Sequence, residues 1–224
     1  MSTAFVDQTA EPTVRGFLDE PRESNGNGIV LTHGAGSNCQ AKLLVEMSTA
    51  LAACGFTVLR FDLPFRLARA FGPPRPGSAE RDREGLRRAV SVMRAKVSRS
   101  LFLGGHSYGG RQATMLVAEE PELVDGLLLL SYPLHPPKRP AELRTKHFPK
   151  LVTPAFFVHG TRDPFGTIAE IESALKLIPG PHALLEVDGK AHDLLGKKSA
   201  SDVPSRIARE FDSFVAEKCR PAGR

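Results

Sequence analysis

Short runs that are apolar at nearly every position, each followed by a stretch with apolar residues at helical spacing, limit this 224-residue chain to very few folds. The runs are Ile29-Val30-Leu31-Thr32, Phe56-Thr57-Val58-Leu59-Arg60-Phe61, Leu101-Phe102-Leu103, Leu127-Leu128-Leu129-Leu130, Ala155-Phe156-Phe157-Val158 and Ala183-Leu184-Leu185-Glu186-Val187. A strand with one wet face alternates apolar and polar residues, so runs without that alternation are covered on both faces. Between them, apolar residues recur with the helical period. The sets are Leu43, Leu44, Met47 and Leu51; Leu86, Ala89, Val90, Met93 and Val97; Ile168, Ile171, Leu175 and Ile178; and Val203, Ile207, Phe211 and Phe214. Strands alternating with helices predict an α/β domain of three layers with a mostly parallel central sheet.

Nothing in the composition separates a second domain, so residues 1–224 read as a single domain, with 1–25 either an edge strand or a flexible lead. Gly55 stands where a helix-ending glycine belongs. Residues 62–78 and 132–153 are too rich in proline and glycine for long regular elements and are expected to be loops over the strand ends. The remaining length suffices only for a minimal core, without a large lid.

A hydrophobic content of 41% with 25% charged residues suits a soluble protein, and no apolar run approaches the roughly 20 residues that cross a bilayer. The stretch Met1-Ser2-Thr3-Ala4-Phe5-Val6-Asp7-Gln8 has neither the basic start nor the apolar core of an export signal, so a cytoplasmic location is expected. Cys39, Cys54 and Cys219 share no metal-ligand spacing and read as free thiols. The net charge of +5 could mark an anionic partner, and Arg81, Arg83, Arg87, Arg88 and Arg94 cluster in one helix. Asp82 and Glu84 interleave with them and no aromatic residue accompanies them, so the run reads as a solvated face and no nucleic-acid or membrane partner is expected. Oligomeric state has no signal in the sequence.

Gly105-His106-Ser107-Tyr108-Gly109 lies between a strand and a helix, which is the setting of a nucleophile elbow. Glycines flank such a serine because side chains there would collide with the neighbouring strand and helix. A serine hydroxyl needs a base within hydrogen-bond reach and an acid to hold that base, in the chain order Ser, Asp, His. His192, after the last strand, is the candidate base. Asp163, in Val158-His159-Gly160-Thr161-Arg162-Asp163-Pro164, is the candidate acid, with helix capping as its structural alternative and Asp188 and Asp193 in reserve. His33-Gly34-Ala35-Gly36 follows the first of the apolar strands, and the N–H groups of Ala35 and Tyr108 are the expected oxyanion hole. His33, His106 and His159 read as structural. Phe65, Tyr132, Leu134 and His135 are the expected lining of an accessible substrate site, with a small-molecule substrate, no metal and no cofactor.

These residues resemble the α/β-hydrolase superfamily from about Ile29 to Phe214. Leu31-Thr32-His33-Gly34-Ala35-Gly36, Leu59-Arg60-Phe61, Ser131-Tyr132-Pro133-Leu134-His135 and Leu143-Arg144 resemble the branch of testis-expressed protein homologues and a non-specific-lethal complex subunit. Its bacterial members are called predicted or dienelactone-hydrolase-like hydrolases. The resemblance implies the three-layer fold and a triad of Ser107, Asp163 and His192. Dienelactone hydrolases proper carry cysteine at the elbow where this chain has Ser107. Together these point to a serine hydrolase acting on a carboxylic ester, or on a thioester or amide. The alternative is a non-catalytic interaction module on the same fold, as some members of the branch are.

Overall fold

The computed structural model describes residues 2–195 and 202–219; Met1, quoted above, lies outside them. One sheet has eight strands, and its chain numbering is β1 (Ser2–Asp7), β2 (Val14–Asp19), β3 (Gly28–Thr32), β4 (Thr57–Phe61), β5 (Leu101–His106), β6 (Gly126–Leu130), β7 (Ala155–Gly160) and β8 (His182–Val187). The spatial order is β1-β2-β4-β3-β5-β6-β7-β8, with β1 and β2 antiparallel at one edge and β3 to β8 parallel. The first two strands come from the segment left open as strand or lead. The outer strand β1 has no buried position, while β2 alternates buried with exposed residues only over its first half, so the edge meets water.

The helices are α1 (Lys42–Ala53), α2 (Pro64–Ala68), α3 (Ala79–Arg94), α4 (Tyr108–Glu119), α5 (Ile168–Leu175) and α6 (Val203–Lys218). Each parallel strand feeds two cores. Leu127 and Leu129 of β6 pack with α3, α4 and α5, whereas Leu128 and Leu130 pack with α1 and α6. The alternating direction of successive side chains in a strand thus explains why an unbroken leucine run was required. On the second side Phe56, Phe102, Phe156, Phe211 and Phe214 form a ring cluster with centroids 5.4–6.0 Å apart.

The loops differ from expectation in one respect. Residues 62–78 contain the short helix α2, which starts at Pro64, where a fixed φ favours the first helical turn. Between β6 and β7 the chain makes only a 3₁₀ turn at Phe148–Lys150, and among the described residues no helical lid covers the strand ends. The arginines of α3 are ion-paired, with Arg81 exposed but Arg83 and Arg88 largely covered: Arg81 meets Glu11, Arg83 meets Glu80, Arg87 meets Glu84 and Glu120, Arg88 meets Asp7, and Arg94 meets Asp125. Asp82 departs further from the expected solvated face, being fully buried on the helix's inner side. The three cysteines are free thiols. No described helix is long and apolar enough to cross a membrane.

The order β4-β3-β5 contains a switch point, because the chain adds strands first to one side of β3 and then to the other. Loops leaving the carboxyl ends of β3 and β5 therefore diverge and leave a crevice. Gly34-Ala35-Gly36 leaves the first of these strands and Ser107 the second.

Candidate active site

Ser107 sits between β5 and α4 at φ 51° and ψ −113°, outside the ordinary regions for an L-residue. Packing fixes that geometry. Its N–H donates to the Leu130 carbonyl at 2.9 Å, and its carbonyl accepts from Arg111 N–H at 3.0 Å. A Cβ on Gly105 would lie 2.7 Å from Gly110 N, and one on Gly109 would lie 2.6 Å from Thr32 Cγ2 and 2.7 Å from the His33 carbonyl oxygen. The glycines are thus required by close approach of helix, strand and loop.

His192 Nε2 lies 2.8 Å from Ser107 Oγ, and His192 Nδ1 lies 2.8 Å from Asp163 Oδ2. A carboxylate only accepts, so Nδ1 carries the proton and Nε2 is left to accept from the serine hydroxyl. The Asp163 side chain is wholly buried while that of His192 is about one-fifth exposed, which leaves the serine end open to the cavity. Asp163 Oδ1 accepts from Phe165 N–H at 2.9 Å, so this residue shapes its own turn rather than capping α5. That helix is capped by Thr167, which forms a reciprocal pair with Glu170. Asp188 accepts from Thr161 Oγ at 3.2 Å and takes no part in the Ser107–His192–Asp163 chain. Asp193, the other reserve, is likewise outside that chain.

Three further histidines brace the site. His106 Nε2–H donates to the His192 carbonyl at 2.8 Å, and burial, together with the neighbouring His192, pulls its pKa down to about 4. His33 donates from Nδ1 to the Gly34 carbonyl at 2.8 Å and accepts Leu63 N–H at Nε2, 3.1 Å away; burial lowers its pKa. His159 Nε2–H donates to the Gly166 carbonyl at 2.7 Å, beneath Asp163. Each is thus tied to a backbone carbonyl, and His106 also borders the cavity. The Phe165 ring lies against His192 with centroids 4.2 Å apart and fixes the face the imidazole presents.

The cavity beside Ser107 measures about 410 Å³, and Ala35 and Tyr108 both border it. Tyr108 opens α4, where the first N–H groups have no acceptor within the helix. Its hydroxyl donates to buried Asp82 at 2.7 Å, and the same carboxylate accepts Phe65 N–H at 2.9 Å. Burial raises the Asp82 pKa against the pull of these donors. On the other side Arg66 spends its guanidinium on carbonyls: Ser37 at 2.7 Å, Ala35 at 2.9 Å, Gly72 at 2.9 Å, Ala70 at 2.8 Å and Arg69 at 3.1 Å.

The expected lining residues require correction. Tyr132, Leu134, His135 and Phe65 are all buried, and none of them borders the cavity. Phe65 belongs to α2, and the loop after β6 turns the other three side chains into the protein: Tyr132 packs against Phe148 and Phe157, and its hydroxyl donates to the Arg144 carbonyl at 2.6 Å. Pro133, Arg144, Phe165 and Arg111 line the cavity instead. Arg111 was legible in principle, since i and i+4 share a helix face with the serine. Asp82, Arg66 and Phe165 carry no local signal, because only the tertiary fold brings them here. Among the described residues no group of three or more His, Cys, Asp or Glu is arranged to hold a metal.

Residues 25–216 match the sequence model of the alpha/beta hydrolase domain. The chain belongs to the α/β-hydrolase family. This α/β hydrolase is also similar in structure to a dienelactone hydrolase from Anabaena variabilis, at 20% identity and a TM-score of 0.73 over 98% of this chain and 99% of that one. It is similar to the Est1E protein of Butyrivibrio proteoclasticus determined with ferulic acid, at 14% identity and a TM-score of 0.76 over 96% and 99% of the two chains. A lid-less α/β serine hydrolase from Xanthomonas campestris matches at 14% identity and a TM-score of 0.68 over 99% and 97%. Identities this low speak to the fold, and the lid-less architecture of the last agrees with the bare strand ends seen here.

Proposed function

We propose that this protein is a serine hydrolase that cleaves carboxylic esters, with thioesters or amides as lesser substrates, through an acyl-enzyme. The unbroken Ser107–His192–Asp163 hydrogen-bond chain, with its acid buried and its serine facing a cavity, carries the proposal. His192 Nε2 takes the hydroxyl proton as Ser107 Oγ attacks the carbonyl carbon. The N–H groups of Ala35 and Tyr108 hold the negative oxygen, and Asp163 stabilises the imidazolium. When the carbonyl reforms, the leaving oxygen takes the proton from His192. Water, deprotonated by the same nitrogen, then releases the acid and restores the serine. No step requires a metal or organic cofactor. An open cavity without a lid favours short acyl groups, and the branch resemblance of the Ser131–His135 segment and the cytoplasmic location belong to the same proposal.

The test is labelling by a fluorophosphonate probe. Wild type is expected to label. Ser107→Ala is expected to abolish labelling, and His192→Ala to slow it at least a hundredfold, in keeping with the large losses when a triad member is removed. A folded wild type that does not label would return the chain to the interaction-module alternative. Faster turnover of long-chain than of short-chain nitrophenyl esters would overturn the size preference.

A further inference from the structure

The lining of the cavity carries two positive charges and no negative one. Arg111, in the first turn of α4, and Arg144, in the loop between β6 and β7, both line it with Ser107 and His192. None of the lining residues is Asp or Glu. Among the described residues neither guanidinium has a carboxylate within 4 Å, although the arginines of α3 are paired. Arg111 Nε is buried and has no hydrogen-bond partner among the described residues. Arg144 is set in place by backbone bonds: its N–H donates to the Leu134 carbonyl at 2.8 Å, its Nη1 to the Pro133 carbonyl at 3.2 Å, and its own carbonyl accepts from Tyr132. Glu142 attracts it from farther away but is paired with Arg139 at 3.0 Å.

Two like charges that line one cavity and are partly withdrawn from water repel each other, and an anion bound in that cavity relieves the repulsion. The Arg144 pKa accordingly lies below its ordinary value, first through burial and then through Arg111. We infer that the substrate of this site carries a carboxylate, bound by Arg111 and Arg144 while the ester carbonyl meets Ser107. The inference rests on the hydrolase proposal for its chemistry and on the two arginines for its specificity. The planar guanidinium matches a carboxylate with paired donors, which an ammonium does not.

The test compares matched esters. On the acyl side, mono-p-nitrophenyl adipate is set against p-nitrophenyl hexanoate. On the leaving-group side, 4-acetoxybenzoate is set against its methyl ester. Wild type is expected to favour the anionic member of one pair at least tenfold in kcat/KM, and the favoured pair identifies where the carboxylate resides. In Arg111→Gln and Arg144→Gln that ratio is expected to fall at least fivefold, with partial recovery in the lysine variants. Raising salt from 20 to 500 mM is expected to lower the ratio, as screening of an open site requires. A wild type that labels with fluorophosphonate but shows no anionic preference in either pair, or a ratio unmoved in both glutamine variants, overturns the inference and leaves the hydrolase proposal standing. If wild type does not label, calorimetry of monoethyl adipate with Ser107→Ala decides it. Binding that weakens at least fivefold with Arg111→Gln upholds the anion site, and absence of binding overturns it.

Discussion

Arg66 offers the sharpest test of how the fold holds the glycine loop. A guanidinium has five N–H donors, and here all are used on backbone carbonyls of two loops, at residues 35 and 37 and at residues 69, 70 and 72. Replacing it with alanine strands those acceptors. The carbonyls of residues 69 and 70 belong to exposed residues and recover water, so their loss contributes little. The bonds to Ala35 and Ser37 lie deeper, and charge-assisted bonds of this kind contribute about 1.5–3 kcal/mol each. The guanidinium also lies over the Phe65 ring, 4.9 Å from its centroid, worth about another 0.5–1 kcal/mol. Arg66→Ala is therefore expected to destabilise the protein by about 3.5–7 kcal/mol, a fall in Tm of roughly 10–20 °C for a chain of this size. Arg66→Lys keeps the charge but offers only three donors without the planar fork, and should lose about half as much. The loop thereby released carries the Ala35 N–H, so fluorophosphonate labelling of Arg66→Ala should slow by about ten- to a hundredfold, less than loss of an oxyanion donor outright. Urea melts and labelling rates measure the two effects. A variant within 1 kcal/mol of wild type that labels within twofold would refute the reasoning.

Other outcomes follow from the buried polar groups. Asp82→Ala leaves the Tyr108 hydroxyl and the Phe65 N–H without an acceptor and should cost about 2–5 kcal/mol. Asp82→Asn removes a charge whose burial is already unfavourable, keeps an acceptor and should lose clearly less; equal losses in urea melts would rule out that ordering. For His106, whose folded pKa of about 4 lies below its ordinary 6.5, the unfolded chain binds a proton that the native state refuses. Its stabilising contribution is full above pH 6.5 and is lost as pH falls towards 4, by about 2 kcal/mol between pH 7 and pH 5. His106→Gln should flatten the pH dependence of the urea midpoint over that window by this amount, His147 supplying a comparable acid sensitivity that remains.

The sequence was most readable where a residue type and its neighbours decide the outcome together. The leucine run of β6 demanded two covered faces, and the glycines around Ser107 demanded a close approach, so the layers, the elbow and the strand-end positions of Asp163 and His192 follow from local pattern. The lining failed because a proline-rich loop is legible as a loop but not in its side-chain directions. Tyr132 and Leu134 look like ligand contacts by type, yet aromatic partners from β7 and the 3₁₀ turn draw Tyr132 inward. Asp82 misled for a related reason: in a charged helix an aspartate looks solvated until Tyr108, from another helix, arrives to satisfy it. Interactions between residues far apart in the chain have no signature in either residue alone.

The parallel pairing of β7 with β8 has one more implication. Gly160 stands opposite Val187 in that pair, and a Cβ there would come within 2.3 Å of the Lys190 carbonyl oxygen, so the turn bearing His192 is seated directly on the strand that delivers Asp163. A slip of β8 by one residue would carry His192 roughly 3.3 Å along the sheet and turn its neighbours to the opposite face. The 2.8 Å bond to Ser107 would not survive such a shift. Reactivity of one serine thus gauges the alignment of an edge three strands away, and during refolding its appearance should date the moment the last strand finds its place.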